Sequence, residues 1–532
     1  MKIYKFQETS VGLQFGQPTT AGRTEQADRA GLTPFRKKVA FCKALKNVNE
    51  PSKIIKAPGA TRREFLKKST LAGGVVAGVA AVVVTRRHFL KKSALAGAAV
   101  VAGGSLLKTP VYGQTQAPAP GNAVGANNRI VVGYIGVGLQ GTAHINLQKQ
   151  FAAANNIALA AVCDVSKHRL AEAKALVGGD CKDYADFEKL LENKDIDAVT
   201  IATVDQWHAG TAMAALQAGK HVYLEKPMSR YLGEAFALYD LAKKTPGKIV
   251  QIGSQACSDP KWTKARELVT AGKVGKLVLG QDSYMRNSKE GEWNSAPYVF
   301  ADWMKADDID WKKWQGNVKN KVDYDWERFV RWRKFYPYCA GPLGDLFPHR
   351  MHPLMLASGN PEFPTRVACL GQKPVDADKD TPNAAERDCP EDLQLIAEFP
   401  SGVALLMISG TVNQVGLPSV IRGHMATLMI GGNSVELRPE EKFAEDIDPQ
   451  TIGNLPIETI EAHEKNWFDC IRSNGVPNAN VDLAVRVQTV LSLAEMSNRL
   501  NMMCLFDEKT RTITNGDGKT VPAITYGTLE KS

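Results

Sequence analysis

From Arg129 the chain changes character: short, continuously apolar runs begin to alternate with stretches of helical apolar spacing. Ile130–Ile135, Ile157–Cys163, residues 196–203 and His221–Leu224 are such runs. A run with no alternating polar positions predicts a strand covered on both faces. Strands separated by helical segments, here including one over residues 166–176, predict a doubly wound parallel sheet with its ligand at the carboxyl ends of the strands. After residues 251–255 the pattern turns β-rich, with aromatic and basic loops. Residues 277–284, 393–399 and 403–411 read as strands, the last two joined by a Pro400-Ser401-Gly402 turn, and residues 482–500 carry helical spacing.

Length adds that at least two cores are expected in 532 residues. With 44% hydrophobic and 23% charged residues the chain is ordinary for a soluble protein, which excludes collagen-like, low-complexity and polytopic membrane classes. A net charge of +10 would by itself suggest nucleic acid. Its placement removes that suggestion: residues 1–113 hold 20 Lys/Arg against 5 Asp/Glu, and the rest of the chain holds 46 against 51. The basicity belongs to a leader. Nine cysteines show no C-x-x-C spacing, so neither a metal ribbon nor a thioredoxin-like motif is indicated, and no metal site is expected. Cys163 and Cys369 lie in apolar runs, where a buried thiol is the expected state, with disulfides the alternative in an oxidising compartment.

The leader carries one pattern twice, Thr61-Arg62-Arg63-Glu64-Phe65-Leu66-Lys67-Lys68-Ser69 and Thr85-Arg86-Arg87-His88-Phe89-Leu90-Lys91-Lys92-Ser93. Each copy precedes an Ala- and Gly-rich apolar stretch, shorter than the roughly 20 residues a bilayer span needs. The combination resembles a twin-arginine export signal. That implies the twin-arginine export machinery as a partner, a periplasmic or otherwise exported protein, and a membrane anchor if the leader is not cleaved. Export in the folded state favours a cofactor acquired beforehand. Val111-Tyr112-Gly113 reads as a cleavage site, and residues 114–128 as a flexible linker.

The first apolar run leads into Gly136-Val137-Gly138-Leu139-Gln140-Gly141 and then a helix. Gly136 permits the turn, Gly138 lets the backbone approach a pyrophosphate, and Gly141 allows helix and strand to pack closely. The helix start, with Leu139 and Gln140, offers free N–H groups to the phosphates. The second run ends in Asp164, where a carboxylate can bind both ribose hydroxyls of an adenosine or, alternatively, cap the next helix. Asp164 favours NAD over NADP; Ser166, Lys167 and Arg169 are the groups that would accommodate a 2′-phosphate. Two further strand ends carry Thr203-Val204-Asp205-Gln206-Trp207-His208 and Glu225-Lys226-Pro227.

These motifs, together with Gly341-Pro342-Leu343-Gly344-Asp345-Leu346-Phe347-Pro348-His349, resemble the glucose-fructose oxidoreductase and inositol dehydrogenase family, Gfo/Idh/MocA, over residues 129 to about 505. The resemblance implies an α/β protein: an N-terminal Rossmann doubly wound parallel sheet at 129–250, and a C-terminal α+β domain with a large, mostly antiparallel sheet at 251–505, used for substrate binding and oligomerisation. Residues 506–532 are left as a tail. It implies that Lys226 contacts substrate beside the nicotinamide, that Pro227 follows a cis bond, that Thr203, Asp205, Trp207, His208 and Glu225 line the cofactor, and that Asp345 and His349 are catalytic. Val204 departs from the family, which usually has proline there, and His208 has a plain structural alternative at a helix start.

Asp345 and His349 are four apart, so one helix would present both to the same side, with Pro348 in its first turn if Asp345 is the N-cap. A plain cap and a core histidine would satisfy the same pattern. The residue types suit alcohol oxidation, which needs a base for the hydroxyl proton and a cation for the developing alkoxide. His349 has the intrinsic pKa of a base, and Lys226 can serve the alkoxide, its own pKa lowered by the nicotinamide cation. Asp345 would orient one of them. Tyr284, Arg286, Asn287, Trp293, Arg331, Trp332, Arg333, Lys334 and Tyr338 form the expected pocket set for a sugar or polyol, since rings stack on sugar faces and cations bind hydroxyls or acids. The expected activity is an exported NAD(P)-dependent oxidoreductase with a tightly bound cofactor, acting as a homo-oligomer. A glycosidase working by transient oxidation and a non-catalytic nucleotide sensor are the alternatives.

Overall fold

The computed structural model describes residues 128–529, except 383 and 458. The leader, both arginine motifs and the linker up to residue 127 lie outside the described residues. Along the chain β1 (Ile130–Ile135), α1 (Leu139–Phe151), β2 (Ile157–Cys163), α2 (Lys167–Val177), β3 (Lys182–Tyr184), α3 (Phe187–Glu192), β4 (Ala198–Ile201), α4 (Asp205–Gln217), β5 (His221–Leu224), α5 (Leu232–Lys244) and β6 (Val250–Ile252) alternate. The strands pair in the order β3-β2-β1-β4-β5-β6, all parallel, as the apolar runs predict. Val132, Tyr134, Val199 and Leu224 are fully buried because helices cover both faces. Strand order reverses between β1 and β4, so the glycine turn after β1 and the Thr203 loop after β4 flank the crevice where such sheets bind ligands.

The second half contributes α6 (Pro260–Thr270), β7 (Leu277–Met285), α7 (Trp311–Gln315), α8 (Trp326–Val330), α9 (Pro342–Asp345), α10 (Pro348–Ala357), β8 (Arg366–Gln372), α11 (Ala377–Asp380), β9 (Asp392–Glu398), β10 (Ala404–Gly410), β11 (Ser419–Gly423), β12 (Ala426–Gly431), β13 (Ser434–Pro439), β14 (Gln450–Ile452), α12 (Ile460–Ser473), α13 (Val481–Leu500), β15 (Cys504–Asp507) and β16 (Thr512–Thr514). Its ten strands run β14-β13-β12-β11-β7-β10-β9-β8-β15-β16. Neighbours are antiparallel except β7 with β10, which are parallel; the loops and helices that wall the site leave the sheet after β7.

Two boundaries differ from the sequence reading. The segment 506–529 is no loose tail: Cys504, Phe506 and Ile513 are buried, β15 and β16 extend the sheet, and the Tyr526 hydroxyl lies 3.0 Å from both Gln206 O and Glu234 Oε1. Nor does the first domain end at residue 250. Trp467 and Phe468 of α12 join Val132, Tyr134 and Tyr223 in one core, so a helix from the second half covers the first sheet. Truncating a buried aromatic of this kind costs about 3–5 kcal/mol. All eight cysteines of the described region are free thiols, seven of them buried.

Candidate active site

Local backbone demands shape the nucleotide cradle first. Gly136 has φ +80°, and a Cβ there would stand 2.6 Å from Thr203 N; a Cβ on Gly141 would stand 2.0 Å from Gly136 O. Both positions therefore admit only glycine. Asp164 accepts from Val137 N and Ser166 N, each at 2.9 Å, which ties the end of β2 to the glycine turn. Ser166 caps α2 through Arg169 N, so the capping role weighed for Asp164 falls to Ser166 and the carboxylate stays beside the crevice. Ser166 Oγ and Lys167 Nζ are spent on Asp308 Oδ2 and Asp307 O, both at 2.6 Å, which leaves Arg169 alone among the three groups considered for a 2′-phosphate.

The cradle fits NAD on its own observations. Thr203 Oγ1 is buried with no partner, and the Arg169 guanidinium, 3.2 Å from where a Gly138 Cβ would be, has no hydrogen bond or ion pair among the described residues. A hydroxyl and a cation left open at a glycine turn suit a dinucleotide. Two expected cofactor contacts are otherwise engaged. Trp207 Nε1 donates to Trp314 O at 2.9 Å, and the ring of Trp207 packs against Gly316. His208 has one ring nitrogen on Pro227 O (2.6 Å) and the other on Thr203 O (3.1 Å), so it joins the two loops and has no nitrogen left for a ligand. Asp205 is buried, and burial raises its pKa.

The reacting corner forms where β5 ends against α9 and α10. Lys226, before the cis Pro227, donates to Asp345 Oδ1 at 2.9 Å and to Asp345 O at 3.0 Å. Arg333 Nε donates to the same Oδ1 at 3.0 Å. Burial alone would lower the lysine pKa, but Asp345 and then Glu225 more than reverse this, and it ends above the ordinary value. Burial would raise Asp345; Lys226 and Arg333 instead hold it well below the usual carboxylate range. His349 goes the other way. Burial and then the Lys226 cation push it down to about 3, so its imidazole is neutral and can accept a proton. Its ring meets Tyr284 edge-on, with centroids 5.4 Å apart.

Asp345 and His349 do not share a helix. Asp345 closes α9, whose N-cap is Gly341, and α10 starts anew at Pro348. Pro348 lacks the N–H that would continue a helix, so the chain is reset between the two residues. Asp345 engages Lys226 and Arg333, with no hydrogen bond to His349 among the described residues.

Of the pocket set, Tyr284, Arg286, Trp332 and Arg333 stay partly exposed. Arg286 donates to Tyr284 Oη (3.0 Å) and Glu292 (2.7 Å), and Arg333 stacks on Trp332 at 4.2 Å. Trp293, Arg331, Lys334 and Tyr338 are buried in the wall instead. Composition could not separate them, because the same residue types seal loops. Sequence reasoning missed His144 and Glu464. Buried His144 lies between Glu225 Oε1 (2.9 Å) and Glu464 Oε1. Burial would lower the imidazole, but the two carboxylates raise it to about 10; burial would raise Glu225, and His144 brings it to about 2. Its position three residues after Gly141 was the available signal; nothing marked Glu464.

Glycine cradle, orphaned hydroxyl and an ammonium–carboxylate–imidazole corner at the strand ends define a dinucleotide-binding Rossmann protein. Residues 130–254 match the family model GFO_IDH_MocA, "Oxidoreductase family, NAD-binding Rossmann fold". That segment is similar to the NAD-binding Rossmann domain of this family. Inositol 2-dehydrogenase of Salmonella typhimurium is 26% identical over 168 residues, 32% of this chain and 49% of the relative. A glycosyl hydrolase family 109 protein of Saccharopolyspora erythraea is 32% identical over 210 residues, 37% and 45% respectively. The chain thus spans about half the length of the curated relatives it matches. Among solved structures, an oxidoreductase domain protein from Kribbella flavida aligns over 71% of this chain and 100% of its own, with TM-score 0.56 and 19% identity. Levoglucosan dehydrogenase complexed with NADH and levoglucosan aligns over 73% and 99%, with TM-score 0.52 and 17% identity. These likenesses show that the two-domain fold extends well beyond residue 254.

Proposed function

We propose that this chain is an NAD-dependent oxidoreductase that oxidises a hydroxyl of a sugar or polyol, and that it is exported through the twin-arginine route. One observation carries the activity: Lys226 uses two of its three N–H groups on Asp345 and keeps the third for a ligand, beside a neutral His349. NAD, when bound, supplies the two-electron acceptor. Gly136, Gly138 and Gly141 would hold its diphosphate, Asp164 its ribose, and Thr203 Oγ1 would meet it at the carboxyl end of β4.

Lys226 Nζ positions the substrate hydroxyl oxygen and stabilises the negative charge that grows there, a role that oriented donors in a dry site perform well. The hydroxyl proton goes to a ring nitrogen of His349, kept neutral by burial and by the ammonium. Asp345 keeps Lys226 charged and in place. The inositol dehydrogenase relative and the levoglucosan complex support a sugar or polyol substrate. The match to a glycosyl hydrolase family 109 protein supports a second reading, glycoside cleavage through transient oxidation and return of the electrons.

The test is to isolate the exported protein, identify any bound dinucleotide by mass spectrometry, and screen sugars and glycosides for a change in reduced-nicotinamide absorbance. A ketosugar product with reduced cofactor supports oxidation. Net glycoside cleavage without reduced cofactor supports the second reading, and no response to any sugar sinks both.

A further inference from the structure

Asp345 Oδ1 answers two cations at once, Lys226 Nζ at 2.9 Å and Arg333 Nε at 3.0 Å. Of the other carboxylates nearby, Glu225 pairs with His144 and Glu292 with Arg286 at 2.7 Å, while buried Asp205 acts through space on both Lys226 and Arg333. His349 contributes no charge of its own. Oxidised nicotinamide would add a further positive charge beside these two cations.

Arg333 keeps unused donors at this corner. Its guanidinium lies 4.2 Å from the Trp332 ring centroid and 5.9 Å from that of Tyr298, which sets its plane. Its side chain is 20% exposed, and neither terminal nitrogen has a hydrogen-bond partner among the described residues. Two residues earlier Arg331 shows the contrast: Nε, Nη1 and Nη2 are bound to Tyr298 O, Glu327 Oε1 and Asn294 O at 2.9, 2.9 and 3.0 Å. Arg331 is a strut, whereas Arg333 presents an empty fork beside Lys226. A guanidinium fork with both terminal N–H groups open matches the two oxygens of a carboxylate.

We propose that the substrate class of this site is a sugar or polyol acid, whose carboxylate is bound by the terminal nitrogens of Arg333 while a neighbouring hydroxyl is oxidised at Lys226 and His349. This rests on the oxidoreductase reading above. The carbinol carbon gives up its hydrogen with two electrons to NAD, the hydroxyl proton passes to His349, a ketone forms, and the carboxylate leaves unaltered. A neutral sugar would fill the same space and leave the terminal N–H groups of Arg333 without a charged partner, which costs binding energy.

The experiment uses the NAD-loaded full-length protein and matched pairs differing only in the acid: glucuronate with glucose, galacturonate with galactose, gluconate with glucitol. The sugar phosphates of the same series run alongside. The expected result is a kcat/KM higher by at least about tenfold for the best acid over its neutral partner, a ratio equivalent to one well-made charged contact. Arg333→Gln should bring that ratio towards one, and Arg333→Lys should keep part of it, because the point charge survives while the fork does not. Acid and neutral partners within twofold of each other in the unaltered protein overturn the proposal while leaving the oxidoreductase reading intact. So does a preference for the phosphates, or an unchanged ratio in a folded Arg333→Gln protein. Should that variant not fold, the matched pairs in the unaltered protein decide the matter. No turnover of any pair overturns the oxidoreductase reading itself.

Discussion

Lys226 and Lys334 are both lysines in ion pairs, and their surroundings give them opposite meanings. Lys334 Nζ donates to Asn294 Oδ1 and Glu327 Oε1 at 3.1 and 3.0 Å and lies 3.1 Å from Asp378 Oδ1, with no exposed surface. Two hydrogen bonds and a third ion-pair contact hold it inside the wall. Lys226 spends two on one aspartate and sits at the mouth of the crevice, 10% exposed. A fully buried ammonium held by three separate side chains is a strut; one held by a single aspartate at a partly open position can act on a substrate. The wall around Lys334 continues the same way, with Arg387 paired to both oxygens of Asp378.

This contrast can be broken most severely at the strut. Lys334→Met leaves Glu327 and Asp378 facing each other without the shared cation, and the expected loss is about 3–5 kcal/mol in chemical denaturation. A loss below about 1 kcal/mol would mean the cluster is solvated and the distinction fails. At the other lysine the expected loss lies in rate. Lys226→Met should lower kcat by about 10²–10³ with unfolding midpoint and dinucleotide content unchanged, as loss of a donor to developing charge does. A fall of less than twofold would remove Lys226 from the chemistry.

The pH dependence sharpens the reading of the corner. His349 is neutral down to about pH 3, and Lys226 stays protonated beyond the ordinary lysine range. For the free enzyme kcat/KM should therefore stay level from about pH 8 to about pH 5, where an unperturbed imidazole would give a limb near 6.5. Asp345→Asn removes the group that raises the lysine, so the ammonium deprotonates earlier and the alkaline limb moves to lower pH. An unmoved limb would show that Asp345 does not set the state of Lys226. The smallest effect belongs to the cradle. Ser166→Ala removes the cap of α2 and its bond to Asp308, at about 1 kcal/mol of stability read as a fall in Tm.

Acid should also weaken the fold itself. His352 and His463 are buried and held neutral, each pushed down to about 4 by burial first. The unfolded chain binds protons near pH 6.5 that the folded one refuses, so stability falls as pH drops from about 6.5 towards 4. His144 contributes with the opposite sign: its stabilisation is whole below about 6.5 and is lost as pH rises through about 10.

Much of this was legible in the sequence because it is local. The apolar runs gave β1, β2 and β5 to the residue, and Gly136 and Gly141 declared a turn that only glycine can make. Lys226 was marked by its strand end and its neighbouring proline. The Asp345–His349 spacing suggested one shared helix, and a helix break separates the two residues instead. The aromatic-basic stretch named four residues that the fold buries, because an arginine or lysine in a loop carries no mark of how many of its donors the fold will satisfy.

The sequence by itself determined the parallel sheet, the glycine cradle and the identity of the chemical groups, since periodicity and backbone sterics act over a few residues. Only tertiary structure decided which charges meet. Asp345 lies 119 residues from Lys226, Glu464 lies 320 from His144, and Asp378 lies 44 from Lys334. Whether a cation becomes strut or catalyst depends on which oxygens reach it across such distances, and therefore on packing between elements rather than on pattern within them.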